Sequence, residues 1–121
     1  MKKYNKYIGY YGEDLASNYL CSKDYIILER NYSNRFGEID IICLKNDVLC
    51  FIEVKSRYDI TFGRGIESIS FSKIQNIKKL TKYFLLNNKF NDYFVRFDVI
   101  EVYLNHRNNT NNIIHTKDAF R

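Results

Sequence analysis

The 121 residues predict a single α/β domain with element order α-β-β-β-α-β, its mixed central sheet flanked by helices. Three observations predict it. Apolar residues recur at three- and four-residue spacing over 4–22 and again up to about Asn87, the period of an amphipathic helix. Between them lie short apolar runs, Glu38–Leu44 and Val48–Ser56, of strand length and bounded by turn residues. The chain has the length of one ordinary domain, 1–121, with no repeat, no linker-like stretch and 45% hydrophobic residues.

In the first helix, 4–22, the buried stripe is Ile8, Tyr11, Gly12, Leu15, Ala16, Tyr19 and Leu20. Strands follow at Tyr25–Tyr32, Glu38–Leu44 and Val48–Ser56. Residues 57–69, with Gly63 and Gly65, read as a mobile loop. Ser70 or Ser72 can cap the second helix, whose stripe is Ile74, Ile77, Leu80 (or Thr81) and Phe84. Phe94–Leu104 reads as a fourth strand. Asn105–Asn112 is a turn or loop, and Ile113-Ile114-His115 a short last strand. Proline is absent, so turns rest on Asn, Asp, Ser and five Gly.

Charge inside the two central runs is the chemical signal. Gly37-Glu38-Ile39-Asp40-Ile41-Ile42 and Phe51-Ile52-Glu53-Val54-Lys55 place carboxylates and a lysine in otherwise apolar strands. Burying unpaired charge is costly. Side chains alternate along a strand, which puts Glu38, Asp40 and Ile42 on one face and Phe51, Glu53 and Lys55 on one face. A hairpin centred on Asn46-Asp47 sets Asp40 across from Glu53, Glu38 across from Lys55 and Cys43 across from Cys50. Two facing carboxylates repel unless a cation lies between them. Mg²⁺ takes one or two carboxylates and keeps its other positions for water and phosphate. The competing reading is an ion-paired hairpin, Glu38 with Lys55, and Asp40 and Glu53 near a wet edge. It leaves the Asp40–Glu53 opposition without a gain.

Composition narrows the function classes. No apolar stretch approaches transmembrane length, and no apolar signal core follows the basic start, so no membrane role and a cytoplasmic location are expected. Three cysteines without a CxxC pair argue against a disulfide framework. A Cys43–Cys50 bridge is conceivable, but buried free thiols suit a reducing compartment better. His106 and His115 have no ligand-type spacing with any cysteine, which gives no zinc site. The net charge of +5 points to an anionic partner, nucleic acid above all. Gln75, Lys78, Lys79 and Lys82 share a helix face away from the apolar stripe, which suits a phosphate backbone or an ordinary wet face. Lys73, at the helix start, joins them as a candidate phosphate contact, as do Arg30, Arg35, Arg57 and Arg64. Each arginine taken singly also fits a solvated or locally paired role. Arg96 and Asp98, two apart on one strand face, read as a structural ion pair.

The order α-β-β-β-α-β with Asp40 and Glu53-x-Lys55 resembles the PD-(D/E)XK nuclease superfamily, which includes restriction endonucleases and Holliday-junction resolvases. More of the chain is similar to the YraN family of predicted bacterial endonucleases. Those residues are Gly9, Gly12-Glu13, Arg30-Asn31, Gly37-Glu38-Ile39-Asp40, Phe51-Ile52-Glu53-Val54-Lys55-x-Arg57, Ser72-Lys73 and Arg96-Phe97-Asp98-Val99. The resemblance spans about Gly9 to Val102. Ile39 stands where the superfamily name has proline. The resemblance implies a restriction-endonuclease-like core and a Mg²⁺ or Mn²⁺ cofactor. It implies Asp40, Glu53 and the Val54 carbonyl as metal ligands, Lys55 as the group that orients water and steadies the phosphate, and Glu13 as a supporting helix carboxylate. By analogy with resolvases it also implies a homodimer.

The expected function is metal-dependent hydrolysis of phosphodiester bonds in DNA, with branched or structured DNA as the candidate substrate. The alternative is a non-catalytic nucleic-acid-binding module with the same fold. A third reading, a protein-interaction domain, rests on eleven Tyr and nine Phe, most of which should be core.

Overall fold

The structure, a computed structural model, describes residues 2–57, 69–90, 92–105 and 110–121. The side chains of residues 2–10, 105, 110 and 111 lie outside that description, as do most of the predicted loop with Gly63, Arg64 and Gly65, and His106. The elements are α1 (Lys2–Ser22), β1 (Ile26–Asn34), β2 (Gly37–Lys45), β3 (Val48–Arg57), α2 (Phe71–Asn87), β4 (Phe94–Asn105) and β5 (Thr110–Thr116). The predicted order holds. The last strand is longer than the predicted Ile113–His115, because pairing with β4 extends it through Thr110 and the weak strand formers Asn111-Asn112.

The five strands form one mixed sheet in the order β1-β2-β3-β4-β5. Only β3 and β4 are parallel; the other neighbours are antiparallel. A parallel pair needs a crossover, and α2 lies in the connection from β3 to β4. The β2–β3 hairpin has the predicted register, with Cys43 opposite Cys50 and Lys45 opposite Val48. Asn46 takes the left-handed conformation (φ 54°) that lets the chain reverse in two residues. Both facing cysteines are buried and free. Their shared hydrogen bond is the main cause that pushes the Cys43 thiol up and pulls Cys50 down.

Alternation along β3 sorts the core into two layers. Cys50 and Ile52 pack with Ala16 and Leu20 of α1, together with Ile100 and Val102. Leu49 and Phe51 pack with Ile77, Leu80 and Phe84 of α2. The helices thus cover opposite faces. In α2 the buried residues are Ile77, Leu80, Thr81 and Phe84, while Ile74 is only half-buried. Ser70, not Ser72, is the cap: its hydroxyl accepts the Lys73 N–H at 3.1 Å.

Beyond Ile41 the expectation from strict alternation fails. Ile39 and Ile42 both join the α2-side core, and Ile41 joins the α1 side, so Ile42 does not share the Asp40 face. The paired register ends at Ile41–Ile52, so neither the Asp40–Glu53 nor the Glu38–Lys55 opposition is part of the ladder. Across β1, Asn31 lies level with Asp40 between the pairs Arg30–Ile41 and Tyr32–Ile39, in the left-handed region at φ 55°. The chain twists there, and the Val54 N–H bonds the Asp40 side chain (Oδ2, 2.8 Å).

Gly12 explains how closely α1 sits on β3. A Cβ at that position would lie 1.8 Å from Ser56 Oγ and 2.9 Å from Ser56 Cβ. A helix-interior glycine is otherwise unfavourable by about 1 kcal/mol. Gly12→Ala is expected to destabilise the fold by about 1–3 kcal/mol through overpacking. Urea melts check this, and Ser56→Gly in the same chain should restore part of the loss.

Candidate metal and phosphate site

α1, β2, β3 and α2 each bring charge to the open end of the β2–β3 ladder. Glu13, Glu38 and Asp40 offer carboxylate oxygens that all lie within 4.8 Å of one another. Glu13 comes from the α1 turn that Gly12 holds against the sheet. Glu38 and Asp40 come from alternate positions of β2 on the α1 side. Glu13 is buried, and its Oε1 has no hydrogen-bond partner. The Arg30 guanidinium is 3.7 Å from that oxygen and spends its close contact on Asp14, at 2.9 Å.

Glu53 and Lys55 stand on the other side of β3. Lys55 Nζ is 3.6 Å from Glu53 Oε1, and Lys73 Nζ of α2 makes an ion pair with the same oxygen. Glu53 is buried, so the two lysines supply the charge compensation that burial demands. Glu53 does not join the three-carboxylate group, yet its charge is felt at Asp40.

The electrostatics set the carboxylates of the site against one another. Burial chiefly, and then the Glu53 charge, push the Asp40 carboxyl up to about 8, against the pull of the Val54 N–H and Lys73. Burial raises Glu13 as well; Arg30 opposes the shift and Glu38 adds to it. On the lysine side, burial lowers Lys55, and the neighbouring Lys73 lowers it further against the attraction of Glu53. Burial is also the largest influence on Lys73, but its bond to Glu53 outweighs it and the net shift is upward. Carboxylates that cannot all ionise together, one with an orphaned oxygen, form a donor set that a hard divalent cation fits.

The predicted residues distribute as follows. Glu13 and Asp40 come together with Glu38, Val54 contributes its N–H to Asp40, and Glu53 pairs with Lys55 on the other side of β3. A strand residue directs N–H and C=O to the same edge, so the Val54 carbonyl also faces the β2 side. Lys73 belongs to the charged centre itself. Arg30 backs Glu13 and Asp14. Arg57, half-buried, donates to the Ser56 carbonyl at 3.3 Å. Arg64 lies outside the described residues.

The lysines at the two borders of the predicted α2 face meet different neighbours. Lys79 turns to the β1–β2 turn, where its Nζ is 5.2 Å from the Phe36 ring centre. Lys78 turns to the C-terminus and donates to the Arg121 carbonyl. Lys82 is exposed. The hairpin register sets Glu38 against Lys55, whereas the structure sets it beside Glu13; the Glu38-x-Asp40 spacing carries that signal.

Behind β4 a separate buried network holds the C-terminal segment. Asp98 takes two 2.9 Å bonds from Arg96, a 2.8 Å contact with His115 Nε2 and the Asp118 N–H at 3.0 Å. Tyr19 and Tyr25 close it through His115 and Arg96. The predicted Arg96–Asp98 pair is real, and structural.

Among the described residues no helix is long and apolar enough to cross a membrane. The profile of the uncharacterised protein family UPF0102 matches residues 12–102. A UPF0102 protein of Clostridium botulinum (strain Eklund 17B / Type B) is 53% identical over 121 residues, covering 100% of this chain and 99% of the relative. One from Clostridium beijerinckii is 50% identical over 100% of this chain and 98% of its own. One from Clostridium perfringens (strain ATCC 13124) is 47% identical over 100% and 99%.

Proposed function

The chain belongs to the uncharacterised protein family UPF0102, and we propose that it is a metal-dependent endonuclease that hydrolyses phosphodiester bonds in DNA. The observation that carries the reading is the convergence of Glu13, Glu38 and Asp40 beside Glu53, Lys55 and Lys73. The resemblance to the PD-(D/E)XK superfamily and the YraN family supports it, as does the net charge of +5. Asp40, Glu13 and Glu38 would hold Mg²⁺ or Mn²⁺, with Glu53 and the Val54 carbonyl at its border. A divalent cation there supplies neutralisation of the phosphate charge and acidification of a bound water.

The residues of the chain do the rest. Lys55 Nζ, fixed by Glu53, orients water and places positive charge where the phosphate gains negative charge. Lys73 holds Glu53 in place and presents a second cation to the phosphate. Val54 N–H fixes the Asp40 carboxylate.

A second reading has one observation in its favour. Lys73 and Lys55 already satisfy Glu53, as they would in a nucleic-acid-binding module that keeps the fold without turnover. A homodimer, to cut two strands symmetrically, and a cytoplasmic location belong to the same proposal.

The test offers labelled single-stranded, linear duplex, flapped and four-way DNA to the protein with Mg²⁺, Mn²⁺ or EDTA. Cleavage of at least one substrate, dependent on metal, is the expected result. Lys55→Met should lower the rate by about 10²–10³-fold, the effect of removing one group that stabilises transition-state charge. Salt-sensitive binding with no cleavage in any metal would favour the binding module.

A further inference from the structure

A second feature adjoins the charged centre. The β1–β2 turn presents Phe36, whose N–H is fixed by Asn34 Oδ1 at 2.8 Å. The next residue, Gly37, has φ 135°, a conformation that side chains rarely adopt. The Tyr83 ring of α2 stacks on Phe36 at 5.7 Å and 27°. The Arg35 guanidinium lies 5.0 Å from the Phe36 ring centre, and Lys79 Nζ lies 5.2 Å from it. Arg35 and Lys79 are exposed, and Tyr83 is 38% exposed.

Two cations that converge on one ring repel each other. Among the described residues neither makes an ion pair that would offset this. A groove of about 210 Å³ leads away from Phe36 along Gly37, Ser70 and Asn76, and ends at Glu38 and Lys73. Those two residues belong to the charged centre. The groove thus runs between Phe36 of the aromatic step and two residues of the charged centre, Glu38 and Lys73.

We propose that the Phe36–Tyr83 step with Arg35 and Lys79 is a stacking platform for a single-stranded DNA segment that adjoins the phosphate held at the carboxylate site. The inference rests on the nuclease reading for its placement and narrows the substrate to DNA with an unpaired stretch beside the cut, such as a flap or fork. Single-strand binding combines cations that follow the phosphates with aromatic rings on which bases stack. In a continuous duplex the base faces are covered by their neighbours, so the platform has nothing to engage. Charge complementarity, and the groove that ends at the charged centre, favour this occupant over a protein segment.

The test is binding without turnover. Fluorescence anisotropy in EDTA follows a labelled twelve-nucleotide oligothymidylate and a duplex of equal length, on wild type, Tyr83→Ala, Tyr83→Phe and the double variant Arg35→Gln/Lys79→Gln. Tyr83→Ala should weaken the single strand by about 5- to 100-fold, the range for loss of one base–aromatic stack. Duplex binding should stay unchanged, and Tyr83→Phe, which keeps the ring, should bind as wild type does. The double variant should flatten the salt dependence of single-strand binding. Equal binding of the single strand by Tyr83→Ala and wild type, or equal losses for single strand and duplex, would overturn the platform. Its failure is separable from that of the nuclease reading. Platform binding with no cleavage of any DNA removes the nuclease alone. Metal-dependent cleavage that Tyr83→Ala slows equally on flap and duplex removes the platform alone.

Discussion

Asp40→Asn will make the metal-free protein more stable while it abolishes metal-dependent cleavage. Asparagine keeps an oxygen for the Val54 N–H, which Asp40 now engages at 2.8 Å, and removes the buried charge that Glu53 and Glu13 repel. The sign follows from the raised carboxyl. The folded state holds the Asp40 proton up to about 8, while the ordinary value is 3.8. Its contribution to stability is fully present below the ordinary value and is lost as pH rises through the folded one. The metal-free wild type should therefore weaken between about pH 4 and pH 8 relative to the variant. At pH 8 the variant should be more stable by about 2–4 kcal/mol, roughly 10 °C in melting temperature. Near pH 4 the two should converge. Mn²⁺ should raise the melting temperature of the wild type and leave the variant unmoved. Cleavage should fall by about 10³-fold or more when the ligand set is broken. Thermal melts across pH, with and without Mn²⁺, read the stability effects, and the cleavage assay reads the last.

Asp98→Ala carries the largest expected loss of stability. The carboxylate is fully buried and serves Arg96, His115 and the Asp118 N–H. Burial is the largest influence on its pKa and would raise it. The His115 bond, with Arg96 and the Asp118 N–H, outweighs burial and holds the group below its ordinary value. Such a group contributes stability above the ordinary value and loses it as pH falls through the folded one. Removal leaves the Arg96 guanidinium half-buried without its counter-charge and frees the C-terminal segment. A loss of about 3–5 kcal/mol is expected. Urea denaturation at pH 7 measures it. The contrast with Asp40 is instructive: two buried aspartates of one sheet should change stability in opposite directions, because one has partners and the other has rivals.

The sequence made the hairpin legible because its signal is local. Asn46-Asp47 sits between two apolar runs, and a two-residue turn leaves one register, which the Cys43–Cys50 and Ile41–Ile52 pairs obey. The Arg96–Asp98 pair was legible for the same reason, at a spacing of two on one strand. In α2 the helical period alone marks Ile77, Leu80, Thr81 and Phe84, and only Ile74 falls short of full burial. What period two could not show was its own interruption. The turn of Asp40 toward α1 depends on the twist at Asn31, nine positions away, and on the bond to Val54.

Contacts between elements far apart in sequence were equally hidden. Lys73 reads as one more basic residue at a helix start; only the crossover from β3 through α2 sets it against Glu53. His115 and Asp118 meet Asp98 because β5 pairs with β4, and the Ile113–His115 strand signal does not say which strand it pairs with. Glu13 entered the site through the resemblance, and the structure gives it a physical basis: Gly12 lets α1 approach β3, and the approach carries the next residue to Glu38 and Asp40.

On the proposed reading, the carboxylates gathered at the open end of the β2–β3 ladder hold a divalent cation. Calorimetric titration of Mn²⁺ into the metal-free protein at pH 8, beside Asp40→Asn and Glu13→Gln, tests it most directly. The wild type should take up the ion saturably with release of protons, Asp40→Asn should take up none, and Glu13→Gln should bind about tenfold or more weakly. No uptake by the wild type, or uptake that Asp40→Asn leaves unchanged, would contradict it.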